Sequence, residues 1–475
     1  MKKLSNILIL TLLFSLATSA QKTKIAVLKK LDSQSEKYGY IAMQIWNLAE
    51  MGYLEEQSSS LLQETLSNEG FTIKKGVANI PTAFIAEYGS GLPIIAILGE
   101  FDALPGLSQQ AIPEKKSANG DAGHACGHHL FGTASAAAAI SVKQWMQSTK
   151  QKGTIRFYGC PAEEGGGAKV YMAREGLFDD VDIALHWHPS SQNAASAAAA
   201  LANISAKFRF HGVSAHAAGA PEKGRSSLDG VEAMNAMVNM MREHVPQEAR
   251  IHYVITDGGK APNVVPDFAE VYYYSRHNSR DVVRSIFNRI VKAGEGAALG
   301  TGTTMDYEII NGVHELLPNL SLQKLVHDNL SAIGGVTYSE EEKEFAEKIA
   351  LSLGQTKADL DRAVNIQPYK ETAQAYGSTD VGDVSFVVPT VGFGTATWVP
   401  GTSAHSWQAV AAGGTSIGEK GMMVAAKTIT ATVIDLFKNQ ELIVKAKVEF
   451  KNRRGLNFIY KPLLGNRPPA LNYRK

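Results

Sequence analysis

Only two cysteines, Cys126 and Cys160, occur in this chain of 475 residues. That excludes a small disulfide-built scaffold, which needs several bridges to hold its fold. A single bridge between the two remains open in an oxidising compartment, and metal binding is the competing use. An excess of charge of one sign is also lacking. With 47 Lys and Arg against 46 Asp and Glu, the formal net charge is +1, which gives no global reason to expect nucleic acid or an anionic membrane as partner. Beyond the first 20 residues no apolar run is long enough to cross a bilayer, which takes roughly 20 residues. Internal repeats and long low-complexity tracts are absent too. The one local excess of charge is the basic C-terminal stretch "KNRRGLNFIYKPLLGNRPPALNYRK", and tails of this kind are commonly solvated.

The chain opens with "MKKLSNILILTLLFSLATSA", a basic start, an apolar run and then small residues. This is the layout of a secretory signal peptide, expected to be cleaved after Ala20, so residues 1–20 mark the protein as exported, periplasmic or secreted, and soluble once cleaved. The length exceeds one compact core, so more than one domain is expected.

From Ser35 to Leu66 apolar residues recur at helical spacing, one long helix or two, and Gly70 supplies a stop. Strand-like "TAFIAEYG" and "LPIIAILGEFDAL" follow, the second apolar at nearly every position, as in a strand covered on both faces. Helices and strands then alternate through "DIALHWHP", which predicts an α/β domain with a largely parallel sheet over 21–203. From 204 to 314 the order becomes β-α-β-β-α-β, the split βαβ plan of a ferredoxin-like domain. It reads as an insertion, because patterns like those of the first domain resume over 315–440, ahead of a tail at 441–475. The stretch from Ser339 to Tyr376 has no strong periodicity and receives no assignment.

Four short stretches combine metal-ligating side chains with strand ends or glycine loops: "GHACGHH", "CPAEEGGG", "ALHWHP" and "GTSAHSW". Cys126 and His128 are two residues apart in a glycine-flanked bend, close enough to bind one ion or straddle two. Thiolate and imidazole suit zinc, manganese, nickel or cobalt better than magnesium or calcium. The adjacent Glu163 and Glu164 point in different directions, since side chains alternate along an extended chain. One can then bind metal while the other faces the substrate.

The ordered series "GEFDALPG", "GHACGHH", "PAEEGGGA", "HWHP", "SAHAAGAP", "PNVVP", "GSTDVGD" and "SAHSW" resembles the M20 family of metallopeptidases and amidohydrolases. The Cys-Gly-His motif points to its subfamily D, which holds aminoacylases, hippurate hydrolase and indole-acetyl-amino-acid hydrolases. The resemblance implies a zinc-peptidase-like α/β catalytic domain with the inserted ferredoxin-like unit as lid and dimerisation domain. It implies two divalent metal ions, zinc or manganese first, held by Cys126, His128, Glu164, His188 and His405. Between His186 and His188 the family pattern favours His188, which lies six residues after Asp182 and directly before Pro189.

Glu163 becomes the general acid and base. His216 would reach the active site of a partner subunit, and Asn263 and Arg276 would hold the oxyanion and the substrate carboxylate. One departure stands out: the family places Asp after Cys-Gly-His, and this chain has His129, which bears on metal affinity and identity.

The implied activity is hydrolysis of the amide bond in a small N-acyl or N-aroyl amino acid, by a homodimer or a heteromer with a related subunit. As a thiolate ligand Cys126 would not pair with Cys160. The alternative is a non-catalytic partner or ligand-capture subunit, and retention of Glu163 with all five ligands speaks against it.

Overall fold

The computed structural model describes residues 23–374 and 377–474, so the expected leader at 1–20 lies outside the described residues. The helical pattern near the start resolves into two helices, α1 (Ser35–Leu48) and a second over Glu56–Asn68. A six-stranded sheet follows from β1 (Thr72–Lys75), β2 (Phe84–Ser90), β3 (Ile94–Gly99), β4 (Gly153–Gly159), β5 (Ile183–Leu185) and, much later, β10 (Thr390–Val391). Its strand order is β1-β2-β4-β3-β5-β10. β3 is buried at every residue, as its unbroken apolar run requires.

The sheet is mixed. β1 and β2 run antiparallel to their neighbours, while β4, β3, β5 and β10 are parallel. The parallel strands therefore end on one side, where the segments after β3, β4 and β5 carry Glu100 and Asp102, Glu163 and Glu164, and His186 and His188. Ligand sites of open α/β sheets form at such carboxyl ends.

The alanine-rich helix α2 (His128–Thr149) is buried on nearly all sides, between the sheet and the long helix Ser416–Lys438. Small side chains let both neighbours approach, and Ala134 and Ala136 to Ala139 are all buried there.

β6 (Ala202–His211), β7 (Arg250–Asp257), β8 (Phe268–His277) and β9 (Thr304–Val313) form a separate antiparallel sheet ordered β7-β8-β6-β9. Between them run the helices Ser227–Met241 and Arg280–Thr301, giving the β-α-β-β-α-β order. Its own core includes Phe208, Met234, Val271, Tyr273 and Phe287. The edge strand β7 stays largely exposed, and Tyr253, Val254 and Ile255 on it, with Met237 and Met240 on the helix Ser227–Met241, leave apolar surface open.

Two stretches differ from the sequence-based expectation. The unassigned segment contains a helix, Glu340–Ser352, opened by a capping box between Ser339 and Glu342. The tail forms a helix, Gln440–Arg454, and then packs against the body instead of lying in solvent. No helix of the described residues is long and apolar enough to cross a membrane.

Candidate metal centre

The bend at Gly127 brings the first donors together. Its φ of 75° is left-handed, and a Cβ there would come within 2.7 Å of the Pro189 ring. Glycine thus lets the chain turn from Cys126 into α2, with His128 as the first helical residue. Donor atoms of Cys126, His128 and His188 all lie within 4.8 Å of one another, and so do those of Cys126, Glu164 and His405. The thiol of Cys126 belongs to both groups. The five side chains expected as ligands are therefore brought together, in two sets that share one sulfur.

Each histidine of the first set is oriented through its other ring nitrogen. His128 Nδ1 lies 2.8 Å from Asp102 Oδ1, and His188 Nδ1 lies 2.7 Å from the Pro189 carbonyl. Donation from Nδ1 leaves both Nε2 lone pairs turned inward, and His188 Nε2 is 3.5 Å from Cys126 Sγ. His186 and His188, two apart on an extended chain, share a face, with Trp187 buried on the opposite one. Only His188 joins a donor group; His186 lines a cavity of about 730 Å³ beside it, its Nε2 without a hydrogen bond.

In the second set, Glu164 Oε1 lies 3.0 Å from His405 Nε2. His405 has φ 61°, and Ala162, just before the two glutamates, has φ 54°. Left-handed conformations at non-glycine residues cost about 1–3 kcal/mol each and persist where surrounding contacts impose them. Here the Ala162 N–H donates to Glu55 at 2.8 Å, the Glu164 N–H to Asp102 at 2.9 Å, and the His405 N–H to the Ala125 carbonyl at 2.9 Å.

The electrostatics favour cations. Glu55, Glu100, Asp102 and Asp380 are all buried, with Glu163 and Glu164 beside them. The buried cation facing them is Lys169, 2.7 Å from Glu100 and 2.6 Å from Asp380. Burial alone would lower the Lys169 pKa, but Asp380 and Glu100 overcome that and raise it. His128 Nε2 and Glu164 Oε1 are buried, and their nearest polar neighbours are other side chains of the site, Glu100 Oε2 at 3.1 Å and His405 Nε2 at 3.0 Å, so ligating atoms crowd together where a cation could join them. Thiolate, imidazole and carboxylate donors around these atoms suit two divalent cations.

Glu163 joins a third group with Glu100 and His128. Burial, then the charges of Glu100 and Glu164, push its pKa well above the usual carboxylate range. The Cys126 thiol is likewise pushed up by burial, although the neighbouring His128 opposes this. Both cysteines are free thiols.

The other expected site residues lie apart from this cluster. His216 is exposed in its loop, where its Nδ1 accepts the Gly219 N–H at 3.0 Å, and Asn263 is exposed beside it, accepting the Ala217 N–H through its carbonyl. Arg276 stacks on Tyr274 and reaches Ser378 Oγ at 3.5 Å, with Nε buried and unpartnered. His129, in the position of the family's Asp, turns away: it bonds the Gly413 carbonyl at 3.0 Å, and burial holds its pKa well below the usual histidine value.

Glu55, Glu100, Asp102, Lys169 and Asp380 received no role from the sequence. Glu100, Asp102 and Asp380 stand inside the quoted motifs "GEFDALPG" and "GSTDVGD", so the signal was there without a geometry to read it. Lys169 and Glu55 carried none.

A family model described as a peptidase dimerisation domain, of the M20 type, matches residues 201–299. The chain is 40% identical to one of the subunits of p-aminobenzoyl-glutamate hydrolase from Escherichia coli (strain K12), across 93% of this chain and 97% of that protein. It is 27% identical to the Xaa-Arg dipeptidase of Mus musculus, across 92% and 94% of the two chains. Among solved structures, a dinuclear metal-binding peptidase of the M20 family from Bacillus subtilis superposes with a TM-score of 0.57 at 16% identity, over 86% of this chain and 99% of that one, a likeness of fold.

Proposed function

The chain belongs to the M20 family of metal-dependent peptidases and amidohydrolases, and from that premise we propose that it cleaves the amide bond of N-acyl or N-aroyl amino acids. The first substrate to test is p-aminobenzoyl-glutamate, named for the E. coli relative. The observation that carries this reading is the pair of donor sets sharing Cys126, with Glu163 beside them.

Cys126, His128 and His188 would hold one ion, and Cys126, Glu164 and His405 the other, zinc or manganese by preference, with nickel and cobalt compatible with the same donors. When bound, such ions polarise the scissile carbonyl and make water a stronger acid. Glu163 takes the proton from the attacking water and returns it to the leaving nitrogen. Its raised proton affinity suits the second step, since a carboxyl that holds its proton is able to donate it to an amine.

Among the described residues Arg276 has no carboxylate partner and keeps an unpartnered Nε, which supports its role as receptor for the substrate carboxylate. A panel of aroyl-amino acids tests this. Converting the free α-carboxylate to an amide should lower kcat/KM by at least about 10-fold, and equal rates on both compounds would contradict the assignment.

A dimerisation domain is present, and we further propose that it pairs two copies of this chain, or this chain with a related subunit, through the open edge of β7 and its apolar rim. His216 and Asn263, exposed on that domain, would then serve the neighbouring copy's site. Mixing inactive His216→Ala and Glu163→Gln chains should restore activity, because each heterodimer holds one intact composite site. Heterodimers that form without any recovery would place the action of His216 in its own chain. Export, read from residues 1–20, is part of the same proposal.

A further inference from the structure

Residues 463–474 are built into the molecule. Leu463 and Leu464, adjacent in sequence, are both buried, Leu463 in the core of the inserted domain and Leu464 in a core of the catalytic domain. Arg467 donates to the carbonyls of Ile309 and Ile310 and pairs with Glu308 at 2.9 Å, all on β9. From the catalytic side, Arg174 donates to the Arg467 carbonyl at 2.8 Å, and the Tyr171 hydroxyl to the Pro468 carbonyl at 3.3 Å. Residues 463–468 are thus clamped to both domains.

From this clamp the chain runs to the catalytic loop. The Tyr473 hydroxyl and Arg474 Nη2 both donate to the carbonyl of Glu164, at 3.3 and 2.6 Å. The Tyr473 ring stands edge-on to Tyr53 at 5.6 Å, and the Tyr53 hydroxyl donates to the Gly166 carbonyl at 2.8 Å. Gly52 makes room for this end, since a Cβ there would fall 2.2 Å from the Tyr473 hydroxyl oxygen.

We propose that Tyr473 and Arg474 are positioning residues for the loop that carries Glu163 and Glu164, delivered by a C-terminal strap anchored on both domains. The reason lies in the loop itself. Three successive glycines, Gly165 to Gly167, follow the glutamates and give the loop more backbone freedom than any other residues would. Fixing its geometry therefore needs holds from outside. Asp102 holds the N–H of Glu164, and the strap holds its carbonyl, so both peptide units flanking that side chain are pinned. Anchorage on β9 also ties the seating of the inserted domain to the placement of these carboxylates.

This inference rests on the two-ion reading above, and the test separates the two. In the full chain, Arg474→Ala should weaken uptake of one of two cobalt ions by about 10-fold, since outer partners of metal ligands typically matter by 10- to 100-fold. The other ion, held without Glu164, should bind as in the wild type. With p-aminobenzoyl-glutamate, kcat should fall by a similar factor while KM stays nearly unchanged, and Arg474→Lys, which keeps one donor, should recover part of both effects.

Uptake and kcat equal to wild type in Arg474→Ala would overturn the positioning role. So would a loss that merely tracks a lower melting temperature and is not recovered by Arg474→Lys, because the strap would then act on stability alone. If the wild type hydrolyses no N-acyl amino acid, the substrate reading falls while the cobalt comparison still decides the strap. A wild type that takes up fewer than two ions overturns both.

Discussion

Glu163→Gln should lower kcat by about 10²- to 10⁴-fold, the usual contribution of a positioned general base, with metal content at the wild-type level. Glutamine keeps the shape and one carbonyl oxygen but cannot take a proton from water. The unchanged metal content follows from the two donor sets, which are complete without Glu163. The neighbour gives the contrast: Glu164→Gln removes a charged donor from the set with His405 and should lose metal as well as rate. Metal analysis of both variants beside their turnover measures this. Near-normal activity in Glu163→Gln would remove it from the reaction.

Cys126→Ser should release both ions, and activity should fall by more than about 100-fold, beyond what loss of an outer partner causes. The sulfur is the one donor common to both sets, and serine, un-ionised near neutral pH, is a poor substitute for a thiolate. His188→Ala and His405→Ala, each confined to one set, should each give up one ion and keep the other. Mass spectrometry under non-denaturing conditions counts the ions per chain. If Cys126→Ser retained two, the sulfur would not be shared.

How much of this was legible beforehand differs from residue to residue. The helices near the start and the order of the inserted domain followed from periodicity, because a 3.6- or a 2-residue repeat survives in any packing, and the buried strand β3 followed from its unbroken apolar run. The helix Glu340–Ser352 was missed although Ser339 and Glu342 spell its capping box; a highly charged stretch gave no clear apolar stripe. A largely parallel sheet was expected and found; the one reversed strand, β2, was not foreseen, since its direction is set by tertiary pairing that no local signal carries.

The five expected ligands stood in motifs, and the structure brings them together. That one sulfur serves both sets depends on the relative placement of α2, β5 and the segment holding His405, which spacing alone does not give. Lys169 and Glu55 had no signature because their roles come from burial beside residues far away along the chain, such as Glu100 and Asp380 for Lys169, and Ala162 for Glu55. The tail misled for a related reason. Its Lys and Arg residues suggested solvent, whereas Leu463, Leu464 and Tyr473 decide where it lies.

The central claim, that two ions held by these residues make the chain an amidohydrolase, is tested most directly by removing all metal with a chelator and titrating it back while following release of p-aminobenzoate from p-aminobenzoyl-glutamate. The expected result is an inactive apoprotein whose activity climbs as metal is added and levels off at two equivalents per chain. Full activity in the metal-free protein, or none with both equivalents bound, would contradict it.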